Sequence, residues 1–101
     1  MTEEELNVIS RLSIQKALLG IVNPNLRMVT IGWDELKIFI LKAYFDSTPT
    51  DDQIDDIEAA CTEVIADIPF EKDKVECIYS EAPLKNLEVL KHVVYCRKEN
   101  E

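Results

Sequence analysis

The residues best equipped for chemistry are one histidine, His92, and three cysteines, Cys61, Cys77 and Cys96. Together they total the Cys3His donor set of a structural zinc site. Such ligands come in close pairs on turns, whereas these are spread over one expected helix and two expected strands. His92 and Cys96 lie four apart, on one face of an expected strand, yet a lone strand histidine reads first as a partly buried structural residue. The cysteines are odd in number and form no Cys-x-x-Cys pair, which fits reduced thiols packed as small apolar side chains. Oxygen donors alternate at Asp46, Thr48, Thr50 and Asp52, but a calcium loop starting at Asp46 needs glycine sixth and glutamate twelfth. The chain has Asp51 and Ile57 at those places. Two glycines, Gly20 and Gly32, cannot build a phosphate cradle. Carboxylates abound, but nothing marks a pair as desolvated for acid–base work. No catalytic residue, metal or cofactor is expected, and the chain is not read as an enzyme.

The acids carry a different signal. From Asp46 to Asp67 the sequence holds eight acidic residues and no lysine or arginine. Asp51, Asp52, Asp55, Asp56, Glu58 and Glu63 fall on the outer face of an expected helix. As a solvated face they are accounted for in part by the helix dipole, which favours the early aspartates. Solvated helices, however, usually mix in lysine, because opposite charges four apart stabilise them. An all-acidic face forgoes that support, and a basic protein partner would justify it through faster and more selective association. Both readings stand, and these six residues are the candidate partner-binding set.

The elements that position them follow from periodicity and punctuation. Thr2 and Glu5 form a capping box, and Leu6, Ile9, Leu12, Ala17 and Leu19 predict an amphipathic helix that Gly20 ends and Pro24 keeps from resuming. Glu3, Glu4 and Glu5 are read as helix-starting residues. Val29, Ile31 and Trp33 share a face of a first strand, Trp33-Asp34-Glu35 is a turn, and Leu36 to Phe45 is a second strand. That second strand is apolar on both faces, as in a covered central strand, so its second face meets the amino-terminal segment or a partner. Thr48 or Thr50 caps a second helix, with Pro49 at a first helical position and Ile54, Ile57, Cys61, Val64 and Ile68 along its inner face. Lys74–Glu81 and Val89–Lys98 supply two more strands, joined by a loop containing Pro83 and Asn86. The order α-β-β-α-β-β predicts one α+β domain over residues 1–101: two helices on one face of an antiparallel sheet of about four strands.

Charge narrows the function classes. Eleven basic residues against twenty acidic ones leave a net charge of −9 in 101 residues, which disfavours nucleic acid, anionic membranes and acidic substrates. Arg27, Lys37, Lys42, Lys91, Arg97 and Lys98 do lie on or beside strands near Trp33, Tyr44 and Tyr95, a minority case for nucleic-acid binding. The start Met1-Thr2-Glu3-Glu4-Glu5 lacks the positive charge of a signal peptide. The longest apolar run, Ile38–Leu41, is far short of the ~20 residues that span a bilayer. A soluble, cytoplasmic protein is expected.

Several segments resemble small bacterial immunity proteins, and more narrowly those of contact-dependent growth inhibition systems. They are Lys16-Ala17-Leu18-Leu19-Gly20, Asn25-Leu26-Arg27, Ala43-Tyr44-Phe45-Asp46, Thr62-Glu63-Val64-Ile65-Ala66-Asp67-Ile68-Pro69 and the ending Val94-Tyr95-Cys96-Arg97-Lys98. The resemblance implies an antidote that binds and occludes a delivered toxin domain, often a basic nuclease, with acids standing in for phosphates. It carries over no contact residues. Trp33 and Tyr44 are candidate anchors, though each also reads as core. The rival reading is a self-associating acidic interaction module with no toxin partner, a homodimer burying the second face of the Leu36–Phe45 strand.

Overall fold

The computed structural model describes residues 2–34 and 37–99. Its elements are α1 (Glu3–Ala17), β1 (Leu26–Trp33), β2 (Ile38–Phe45), α2 (Asp51–Asp67), β3 (Lys72–Tyr79), a 3-10 turn (Leu84–Asn86) and β4 (His92–Cys96). The expected turn residue Glu35 and strand residue Leu36 lie outside the described residues.

Both helices begin as their sequences dictate. In α1 the Thr2 hydroxyl accepts the Glu5 backbone N–H at 3.1 Å, and the Glu5 carboxylate reaches back to Thr2. In α2 the same box forms between Thr50 and Gln53, so Thr50 is the cap. Pro49 sits before that cap and not at the first helical position. Gly20, with φ of 85°, supplies the left-handed turn after α1.

The sheet corrects the expected topology. Four strands run in the order β3-β2-β1-β4, and β1 pairs antiparallel with β2 and with β4. But β3 pairs with β2 in parallel, from Ile38 opposite Lys72 to Phe45 opposite Tyr79. The fold is α+β with a mixed sheet, not an antiparallel one. The reason is that α2 is long enough to act as a crossover, returning the chain to start β3 alongside β2 in the same direction. A second hairpin is then impossible, because β3 and β4 occupy opposite edges. The stretch 80–91 instead carries the chain across the back of the sheet. Val89–Lys91, expected as strand, belongs to this connector.

That connector covers the Tyr44 end of the second face of β2. Leu87 buries Met28 and Tyr44, with Ile78, Ala82 and Leu84 packed around them. Tyr44 donates its hydroxyl proton to the Glu88 carbonyl at 2.8 Å. Thr30 accepts the Leu90 N–H at 2.9 Å and donates to the His92 carbonyl at 2.8 Å. The connector runs so close that a Cβ added at Gly32 would stand 3.0 Å from the Leu90 Cβ. On the other face, Ile14 and Ala17 of α1 and Ile57, Cys61 and Val64 of α2 close over Val29, Ile31, Phe39, Leu41 and Phe45. The segment 80–91, and not the amino-terminal segment, covers the Tyr44 end of that second face, while Ile38 and Ile40 at its other end stay half-buried.

Candidate functional site

The inner side of α2 fixes where its acids go. Ile57, Ala60, Cys61 and Val64 are buried, and burial pushes the Cys61 thiol up to about 12. A helix seated by that stripe must turn Asp51, Asp52, Asp55, Asp56, Glu58 and Glu63 away from the core, and all six are exposed. Among the described residues none of them forms an ion pair, although seven pairs form elsewhere. The structure therefore brings the six together on one surface with no cation answering them.

Five of the chain's eleven lysines and arginines pair at other places among the described residues. Arg27, 4% exposed, holds the Glu99 carboxylate through two hydrogen bonds of 2.9 and 2.8 Å and donates to the Ser80 carbonyl. Arg97 joins Asp46 at 2.7 Å and Glu99 at 3.0 Å. First Arg27 and then Arg97 hold the Glu99 carboxyl below its usual range. Lys42 pairs with Glu88 and Glu76, and Lys91 with Glu3 at 2.9 Å. Four of the six cations that argued for nucleic-acid binding are thus neutralised within the protein. The ring of Trp33 is buried and lies 4.8 Å from the Lys91 ammonium, and its indole N–H donates to Glu3. Trp33 and Tyr44 are both core residues, so neither is available as a surface anchor.

The chemistry-capable residues do not assemble. Val29 pairs with Tyr95 and Thr30 with Val93, so Val94 is an extra residue in β4. Directly paired residues share a sheet face. His92 opposite Ile31 therefore faces the helices, while Cys96 opposite Met28 faces the other way, which corrects the expectation that they share a face. The His92 ring lies 3.1 Å from the Asn7 amide oxygen and 5.8 Å from the Trp33 ring, and burial lowers its pKa. Cys77 is half-buried, its thiol pushed up to about 11 by burial and the nearby Glu58. Cys96 is exposed, so only two of the three thiols pack as expected. No group of three or more metal-ligating side chains occurs among the described residues.

One surface feature escaped the sequence reading. The inner face of α1 is Ser10, Ile14 and Ala17 with half-buried Leu6, not the Leu6-Ile9-Leu12-Ala17-Leu19 stripe. Leu12 is 63% and Leu19 78% exposed. The signal that could have found this was present: α1 has more apolar residues than one stripe can hold, with Val8, Ile9 and Leu12 besides Leu6, Ile14 and Ala17.

No helix among the described residues is long and apolar enough to cross a membrane. No curated protein matches the chain. Residues 8–99, which include all of β1 to β4, α2 and most of α1, match the MafI2 immunity proteins. That agrees with the immunity-protein resemblance of the separate segments and implies a cognate toxin partner. The chain belongs to the MafI2 immunity protein family.

Proposed function

We propose that the chain acts as a single-domain cytoplasmic antidote, without enzymatic activity, that neutralises its cognate toxin by stoichiometric occlusion. The toxin domain is a basic nuclease, delivered by contact between sibling cells. The α2 acids Asp51, Asp52, Asp55, Asp56, Glu58 and Glu63 dock on its cationic groove. The observation that carries this reading is the acid face of α2, exposed and without an internal cation along its length. A nuclease binds a polyanion and needs a positive groove; six carboxylates on a rigid helix can occupy such a groove in place of phosphates. A lattice of like charges costs the free protein some helix stability, which binding to a basic surface relieves.

The test is a pull-down of the full chain from its native bacterium, washed at low and then at high salt. Recovery of a basic toxin domain whose capture weakens at high salt is the expected result. Recovery of an acidic or neutral toxin, or of one held equally at both salts, would overturn the electrostatic part of the reading.

A further inference from the structure

We propose that the margin formed by α1 and β4 is a two-fold interface between two copies of this chain. The argument starts at the sheet's edges. In the order β3-β2-β1-β4 the outer strands are β3 and β4. Open edges invite pairing with another chain unless charge, proline or cover blocks them. β3 is guarded by Lys72, Asp73, Lys74 and Glu76, whereas β4 reads His92-Val93-Val94-Tyr95-Cys96, without a lysine, arginine or carboxylate.

Beside that unguarded edge lies the outer face of α1. Val8, Leu12 and Leu19 are exposed on it, with Val22 just beyond. Gln15, Leu18, Leu19 and Val22 line one wall of a groove of about 220 Å³ whose other wall is Val94 and Tyr95. A neighbouring groove of about 200 Å³ between Val8, Arg11, Leu12 and Gln15 continues it along the helix. The apolar stripe and the open strand edge thus share one side of the molecule.

The charges on α1 select the occupant. The acids Glu3, Glu4 and Glu5 stand at its start, and its bases, Arg11 and Lys16, in its second half. Glu4, Arg11 and Lys16 make no ion pair among the described residues. Two α1 helices packed antiparallel about a two-fold axis set each acidic start against the partner's basic half and bring Val8 of each against Leu12 of the other. Such self-complementarity is what an isologous interface requires. A basic toxin would instead meet Arg11 and Lys16 here with like charge. A helix face is on the order of 22 Å by 10 Å, short of the roughly 800 Å² per partner of a stable interface. The β4 edges, pairing antiparallel across the same axis, add to the buried area and contribute backbone hydrogen bonds. The α2 acids lie outside this surface, so the proposal stands or falls independently of the toxin reading.

Sedimentation equilibrium of the full chain tests it. The expected mass is twice the 11.6 kDa of one chain, and Leu12→Asp should weaken association at least ~tenfold. Leu19→Asp is the second variant, and far-UV circular dichroism confirms that each remains folded. Glu4→Lys should weaken the dimer, and adding Arg11→Glu, the base on the same flank of the α1 stripe, should restore it by exchanging the signs. A chain that stays monomeric up to ~100 µM, a dimer indifferent to both leucine variants, or a charge swap that fails to restore it would overturn the proposal.

Discussion

The two helices lie against each other on the same face of the sheet, begin with the same capping box, and present opposite outer surfaces. Outside, α2 is a row of carboxylates; α1 is a row of aliphatic side chains with an acidic start and a basic second half. The inner faces differ as well. α2 seats Ile57, Cys61 and Val64 in a continuous stripe, whereas α1 seats a serine, Ser10, between Leu6 and Ile14. Identical starts therefore do not dictate identical roles. What a helix turns outward depends on which of its apolar residues the core can take, and the core above this sheet takes a narrow stripe from α1.

Truncating inner against outer side chains breaks that contrast most forcefully. Ile57→Ala and Ile14→Ala, both at nearly fully buried positions, should each lower unfolding free energy by about 2–5 kcal/mol in urea titrations. Leu12→Ala should stay within about 0.5 kcal/mol. A large cost at Leu12 that does not change with protein concentration would mean that the outer face of α1 is covered within the monomer; a cost that grows with concentration would come from the second copy.

A smaller effect of opposite sign is expected at Ser10. Its hydroxyl is fully buried and finds no partner among the described residues. Ser10→Ala removes that unpaired group and improves helix propensity, so the thermal midpoint should rise, by up to about 1 kcal/mol of stability. A loss would show that the hydroxyl is satisfied in solution.

The smallest effect concerns acid. The Glu3 carboxyl is held below its usual range, first by the hydrogen bond from Lys91, with Trp33 adding a second. A carboxyl with a lowered native pKa stabilises the fold above its unfolded value, and that contribution is lost as pH falls through the native one. Glu3→Gln should therefore reduce stability slightly at neutral pH and flatten its decline on the acid side. Equal acid-side slopes for both proteins would remove Glu3 from the account.

How far the sequence could be read follows from the same physics. Local signals were legible: Thr2 as one cap and Thr48 or Thr50 as the other, Gly20 after α1, the inner stripe of α2, the buried helix-facing side of β2 and the acid face. Each depends on residues within one or two turns of each other. What was missed depends on distant partners. The parallel β2–β3 pair follows from α2 acting as a crossover, and the cover over Tyr44 comes from Leu87, more than forty residues away in sequence. The separation of His92 from Cys96 follows from one extra residue in β4, which no local pattern marks. The α1 stripe was misassigned because hydrophobicity favours Ile9 over Ser10, and only the sheet beneath places the serine inward and the isoleucine outward. The six candidate acids were legible as one exposed face; what meets that face is a property of another molecule.

The central claim, that this face meets a cationic toxin, is most directly tested by stopped-flow association of the chain with its toxin across a range of salt. The wild-type rate should fall steeply as salt rises, and Asp52→Lys, Asp55→Lys and Asp56→Lys combined should slow association about tenfold or more at low salt. Equal rates and equal salt dependence for the two proteins would contradict the claim and move the toxin interface off α2.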